Sequence, residues 1–325
     1  MKAGSSTARA ALRWLRVGVT SLALWWVCSK VDIAKLGDVL VVTPGVVFLA
    51  PLIGVAVNTT LLAYRMRILF RAMGAHLSLG ILIRILCRSA FAGLVLPQGG
   101  AEVVKGALLA RTSVGLGPAV AGLVTVKLTH MPTLAVLLGL ALATGTLDAE
   151  PMLAGVAVAY LAAALLIGAV LVLDVDVPKW TPTPIATRLN PLMAAIRSLR
   201  DHKRALWWCM ALSAPSMLIN GLVIWTLIGH FGEAWPLLDV LLLVPAMDAL
   251  ILLPISVSGI GVRESVFAIA FASRGLPMDS AIAIGLIRWT GELTRAAIGC
   301  MLWLLTATGR SDATDSATRG GTEHD

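Results

Sequence analysis

Several charged residues stand inside otherwise apolar sequence. Glu102 and Lys105 are three apart in "LPQGGAEVVKGALLA", and Lys127 and His130 are three apart in "VTVKLTHM". Arg263 and Glu264 are adjacent in "SGIGVRESVF", and Arg288, Glu292 and Arg295 recur at i, i+4 and i+7. Arg88 and Asp248 are isolated charges in further apolar runs. Residues three or four apart share a helix face, so Glu102 can hold Lys105, and Glu292 can hold either arginine. Arg263 and Glu264 cannot share a face, so each needs a partner elsewhere. A charge at bilayer depth costs at least ~2.5–3.5 kcal/mol, which makes such residues rare and usually functional. Six basic residues (Arg88, Lys105, Lys127, Arg263, Arg288, Arg295) stand against four acidic ones (Glu102, Asp248, Glu264, Glu292). An anion would neutralise that surplus. A phosphate-bearing headgroup is the natural candidate, since guanidinium matches phosphate bidentately. The residues expected to bind substrate are therefore Glu102, Lys105, Lys127, Arg263, Glu264, Arg288, Glu292 and Arg295. The bases would contact the headgroup, and the carboxylates would position the bases or take up protons. The competing account is a salt-bridge network that only fixes helices together.

The elements that must hold these residues follow from composition. The chain has 325 residues, 58% apolar and 14% charged, against roughly 45–50% and about 25% for a soluble domain. Several runs reach the ~20 residues needed to cross a bilayer, and they are continuous rather than alternating, which excludes a β-barrel reading. The expected fold is an all-α polytopic membrane protein. It has about six full transmembrane helices plus two oppositely oriented re-entrant hairpins, about eight apolar segments in all.

Charge placement sets the expected topology. The net charge of +8 belongs to loops and so reads as cytoplasmic orientation, not as nucleic-acid binding. Residues 1–11 are a basic flank before an uncleaved first span, about Leu12 to Cys28. A second span covers about Pro44 to Tyr64, and Arg65, Arg67 and Arg71 after it read as cytoplasmic topology determinants facing anionic headgroups. Residues 80–97 and 100–112 form the first hairpin. Full spans follow near Gly117–Ala143 and Pro151–Leu173, then a basic cytoplasmic linker, 174–204, with a short amphipathic helix. A span near Ala205–Ile228 leads to the second hairpin, 237–254 and 259–274, and a last span covers about Ala281–Leu305. Residues 12–308 thus make one transmembrane domain, and the polar tail 309–325 is expected to be disordered. Both termini are expected on the cytoplasmic side of the plasma (inner) membrane.

A weak internal repeat supports the inverted hairpins: "VLPQGGAEVVKGALL" parallels "LLPISVSGIGVRESVF". Lys127 and Arg288 each lie nine positions into the following Ala-rich segment, counted from Pro118 and Asp279. Inverted repeats with broken helices, and a site where they meet at the midplane, are a recurrent transporter plan. The glycines beside both charge pairs would free backbone N–H groups at half-helix N-termini, which attract anions. The four cysteines form no CxxC spacing and read as buried apolar residues. There is no Walker A, HExxH or GxSxG motif, so no cofactor, metal or catalytic residue is expected.

On these motifs the chain resembles the lysylphosphatidylglycerol synthase transmembrane region, also called the flippase-like domain family, over about residues 10–308. "LPQGGAEVVKGALLARTSVG" and "LPISVSGIGVRESVFAIAFASRGLPMDSAIAIGLIRW" look like its two signatures. Two positions depart from the pattern. Lys105 stands where an arginine is usual, and "VKLTHM" supplies Lys127 without the usual acidic neighbour. The resemblance implies movement between leaflets of an anionic or aminoacylated phospholipid, or of a polyprenyl or hopanoid lipid. The lysine-transferring domain of the full synthases is not in this chain, so synthase activity is not expected. The implied partner is a membrane lipid, with a homo-oligomer or a lipid-modifying enzyme as further partners and no nucleic acid. Two alternatives stay open: an intramembrane enzyme on a lipid-linked substrate, with Glu264 or Glu102 as base, and a non-transporting subunit of a cell-envelope lipid-modifying complex.

Overall fold

From Gly45 to Tyr64 no residue is charged, and this run enters a 3-10 turn, Gly45–Phe48, and continues into helix α1, Leu49–Ala72. In this computed structural model the described residues are 41–96, 99–172, 202–251 and 262–319; the side chains of 166–172, 251, 262–264 and 306–319 are not described. The expected first span (12–28), most of the 174–204 linker and the tip of the second hairpin (252–261) lie outside the described residues. Gly45–Ala72, Leu116–Ala143 and Lys203–His230 are three stretches, each of 28 residues, long and apolar enough to cross a membrane.

Helix α1 ends in a Schellman motif. Gly74, at φ 82°, lets the Ala75 amide reach the Phe70 carbonyl while its own amide reaches Arg71. Helix α2 (Leu79–Val95) starts at the Ser78 cap, whose hydroxyl accepts the Ile81 amide at 3.3 Å. Gly99, at φ 91°, then turns the chain into α3 (Gly100–Ala110), and α2 and α3 pack on each other. At 1.5 Å per residue α3 spans about 16 Å, too short for a ~30 Å hydrocarbon core. That agrees with the arm of a re-entrant hairpin. The second hairpin matches it: α9 (Leu237–Ile251) packs on α10 (Val262–Ala272), again an 11-residue arm.

Two stretches expected as continuous spans are broken. The first divides into α4 (Leu116–Leu128) and α5 (Met131–Ala143). After α6 (Pro151–Val172), the second divides into α7 (Lys203–Ala211) and α8 (Ser213–His230). Proline is the reason in both. Pro132 and Pro215 have no amide to give the carbonyls four residues back, Leu128 and Ala211, and these are the last residues of α4 and α7. The last helix, α11 (Met278–Arg319), continues beyond the expected end at Leu305, so residues 309–319 are helical where disorder is expected. Extending a formed helix needs no new nucleus.

The helices share neighbours reciprocally. Helix α2 packs against α1, its own hairpin partner α3, and α11 of the second half. Helix α9 packs against α8, its partner α10, and α5 and α6 of the first half. Helices α1 and α8 meet each other between the hairpins. Close approach is set by glycine. A Cβ on Gly299 of α11 would strike the Cys87 backbone of α2, and one on Gly291 would strike the Pro51 backbone of α1.

The buried apolar residues fall into two large clusters. One joins Ala63, Leu69 and Phe70 of α1 to Leu82 and Leu86 of α2, Leu109, Val126 of α4 and Cys209 of α7. The other joins Leu138 of α5 and Leu153 of α6 to α8, α9, α10 and α11. Each broken helix therefore has one half in each core, and the breaks mark the seam.

Candidate functional site

The two breaks lie side by side and satisfy one another. The Ser213 hydroxyl donates to the Cys209 carbonyl at 2.9 Å and lies 3.4 Å from the Thr129 carbonyl. The Thr133 hydroxyl donates to the Met210 carbonyl at 3.2 Å. Arg65 completes the joint. Its Nη2 donates to the Val126 carbonyl at 2.9 Å and to the Thr129 hydroxyl at 3.1 Å. Those acceptors sit at the C-terminal end of α4, Val126 in its last turn and Thr129 just past it, where a cation is favoured.

This corrects the reading of Arg65 as a surface topology determinant, for the residue is only 2% exposed. Helix phase separates it from its neighbours. At 100° per residue Arg65 and Arg67 point to nearly opposite sides, and Arg65 shares its side with the buried Leu69, one turn along. The sequence obscured this because α1 is apolar all round.

A cavity of about 430 Å³ opens at the seam. Its polar lining comes from α1 (Asn58, Arg65), α3 (Glu102, Lys105), α4 with the break (Lys127, His130), α8 (Ser216, Asn220) and α9 (Asp248). Leu62, Met66, Leu123 and Met217 are among the apolar residues between them. Glu102 Oε1 is 3.0 Å from Lys105 Nζ and 3.4 Å from Lys127 Nζ. The Lys105 side chain is 13% exposed and that of Lys127 66%, so the cavity is open beside Lys127. Three side-chain cations, Arg65, Lys105 and Lys127, thus face two carboxylates.

Asp248 links this cavity to a smaller neighbour. It accepts from Arg288 Nη2 at 3.2 Å and from Asn220 Nδ2 at 3.4 Å. The Arg288 guanidinium also lies 5.5 Å from the Phe267 ring centroid, a cation–π contact. Arg288 and Glu292 line a space of about 60 Å³ that shares Asn58 and Asn220 with the main cavity. Asn58 Oδ1 in turn accepts the Ser216 hydroxyl. Glu292 pairs with Arg295, one turn along α11.

Of the residues singled out in the sequence, Glu102, Lys105 and Lys127 come together around one cavity, and Arg288 and Glu292 border the adjoining one. Arg295 lines neither and is held by Glu292. Arg263 and Glu264 lie in the first turn of α10, and their side chains are not among those described. The sequence reading did not place Arg65, Asn58, Ser216 or Asn220 at the site. The prolines at 132, 215 and 245 were the available signal, since Pro132 and Pro215 break helices beside the cavity and Pro245 lies inside α9 and lines it.

No curated protein and no solved structure matched this sequence. A family model described as the lysylphosphatidylglycerol synthase TM region matches residues 13–289. The match covers most of the chain, including every residue that lines the main cavity, and agrees with the helical, apolar architecture. This multi-pass membrane protein belongs to the lysylphosphatidylglycerol synthase TM region family, and its function concerns membrane lipid.

Proposed function

We propose that the protein moves an anionic lipid between leaflets without altering it chemically, with the headgroup passing through the cavity at the seam. The observation that carries this reading is the cavity's composition: Arg65, Lys105 and Lys127 converge there at a break in two helices. Its volume is within the ~300–1,000 Å³ usual for ligand pockets. It accommodates a phosphate-bearing headgroup, while the acyl chains stay in the bilayer. Glu102 holds both lysines, so an arriving phosphate competes with it for them, and the released carboxylate can take up a proton.

In this reading Lys105 and Lys127 contact the phosphate, Glu102 holds them between turnovers, and the Asp248–Arg288 pair separates the main cavity from the space beside Glu292. Arg295 positions Glu292. Arg263 and Glu264, at the start of α10, belong to the same path from the second hairpin. The lipid is an anionic or aminoacylated phospholipid, or a polyprenyl or hopanoid phosphate of the same charge. The protein works in the plasma membrane with both termini on the cytoplasmic side. The test is reconstitution in liposomes with a fluorescent phosphatidylglycerol and a quencher added outside. Wild type should move the probe, and Lys105→Gln and Arg288→Gln should slow it at least tenfold while eluting as folded protein. Equal rates in all three would overturn the site assignment.

A further inference from the structure

A second basic cavity, of about 200 Å³, lies away from the central one, between the end of α1 and the start of α2. It is lined by Arg67, Arg71, His76, Leu77 and Ser78. Arg67 and Arg71 are four apart, so both project from the same helix face, a placement that like charges disfavour without an anion between them. Neither arginine has an acidic partner or a hydrogen-bond acceptor among the described residues. The turn that closes the cavity is fixed at both ends, by the Gly74 Schellman motif and by the Ser78 cap. His76 lies between them in the turn, and the start of the 17-residue α2 lies at the same edge.

Depth points to the source of the anion. The stretch Gly45–Ala72 has 28 residues, about 42 Å of helix against a ~30 Å hydrocarbon core. Its first 20 residues are uncharged, so the excess length falls at the end carrying Arg67 and Arg71. That places the cavity at headgroup level, where lipid phosphates are concentrated and guanidinium binds them bidentately.

We propose that this cavity is a second phosphate site, holding the headgroup of a resident anionic lipid at the membrane surface. It does not rest on the transport reading, since neither arginine reaches the central cavity. The experiment counts lipids by native mass spectrometry of the full chain released from nanodiscs containing phosphatidylglycerol and phosphatidylcholine. Wild type should retain one more phosphatidylglycerol than Arg67→Gln/Arg71→Gln, with equal phosphatidylcholine. Lys105→Gln should keep that lipid, which separates this site from the central one. Arg71 is exposed, so Arg71→Gln alone keeps the fold and should weaken retention about tenfold should the double variant fail to fold. Equal phosphatidylglycerol counts in wild type and the variants would overturn the site. Loss of the lipid on adding millimolar inorganic phosphate would assign the cavity to free phosphate and overturn the lipid assignment.

Discussion

Arg65 on α1 sits 3.1 Å from the Thr129 hydroxyl at the end of α4, and so closes a helix break from a different helix. The same guanidinium nitrogen holds the Val126 carbonyl. Replacing Arg65 by leucine keeps apolar packing and leaves the Thr129 hydroxyl donating to the Val126 carbonyl at 3.0 Å, but it removes two buried hydrogen bonds from a charged donor, a loss of about 1–3 kcal/mol. Thermal unfolding in detergent should therefore show Arg65→Leu clearly below wild type. Arg65→Lys, which keeps the charge with a single donor group, should fall between them. A melting temperature equal to wild type for Arg65→Leu would show that the break is stable without it.

Lys105 and Lys127 compete for one oxygen of Glu102, and this predicts opposite effects of acid and base removal. Glu102→Gln frees both lysines and should tighten retention of anionic lipid. Lys105→Gln should weaken it by about 10–100-fold, the equivalent of one charge-assisted hydrogen bond of ~1.5–3 kcal/mol. Lys127→Gln should weaken it less, because that side chain is mostly exposed. Microscale titration with a soluble short-chain phosphatidylglycerol would rank the three, and a loss of affinity in Glu102→Gln would contradict the competition.

The Asp248–Arg288 pair joins α9 to α11, and breaking one side should cost more than removing both. Asp248→Asn leaves Arg288 partly buried without its counter-charge, whereas Asp248→Asn with Arg288→Gln leaves two neutral amides able to bond. The double-mutant cycle in thermal stability should give a coupling of about 0.5–3 kcal/mol. Additive effects would mean that the contact carries no energy.

Glycines on α11 should differ sharply. Gly299→Ala and Gly291→Ala drive a methyl group into the backbone of α2 and α1, an overpacking that costs about 1–3 kcal/mol. Gly285→Ala meets nothing within 4 Å and should be neutral or slightly stabilising, since alanine is the better helix former. Fluorescence-detected size-exclusion after a heat step compares the three directly, and equal melting would contradict the close helix crossings.

Composition and local spacing by themselves determined the membrane class, the helical content, the short hairpin arms and the Glu102–Lys105 pair. Each depends on the chain within a few residues of itself: hydropathy over one span, or two side chains one helical turn apart. The prolines at 132 and 215 also carried the breaks, although the unbroken apolar runs around them masked the signal. Tertiary structure alone decided the rest. Arg65 is separated from Arg67 only by helix phase on an evenly apolar helix, and which face is buried depends on α4 and α7 packing there. Lys127 finds Glu102 on the preceding helix, and Arg288 finds Asp248 on α9 in preference to Glu292 on its own helix. A charge in low dielectric pairs with whatever partner the packing brings nearest, and that distance is not a property of the sequence interval.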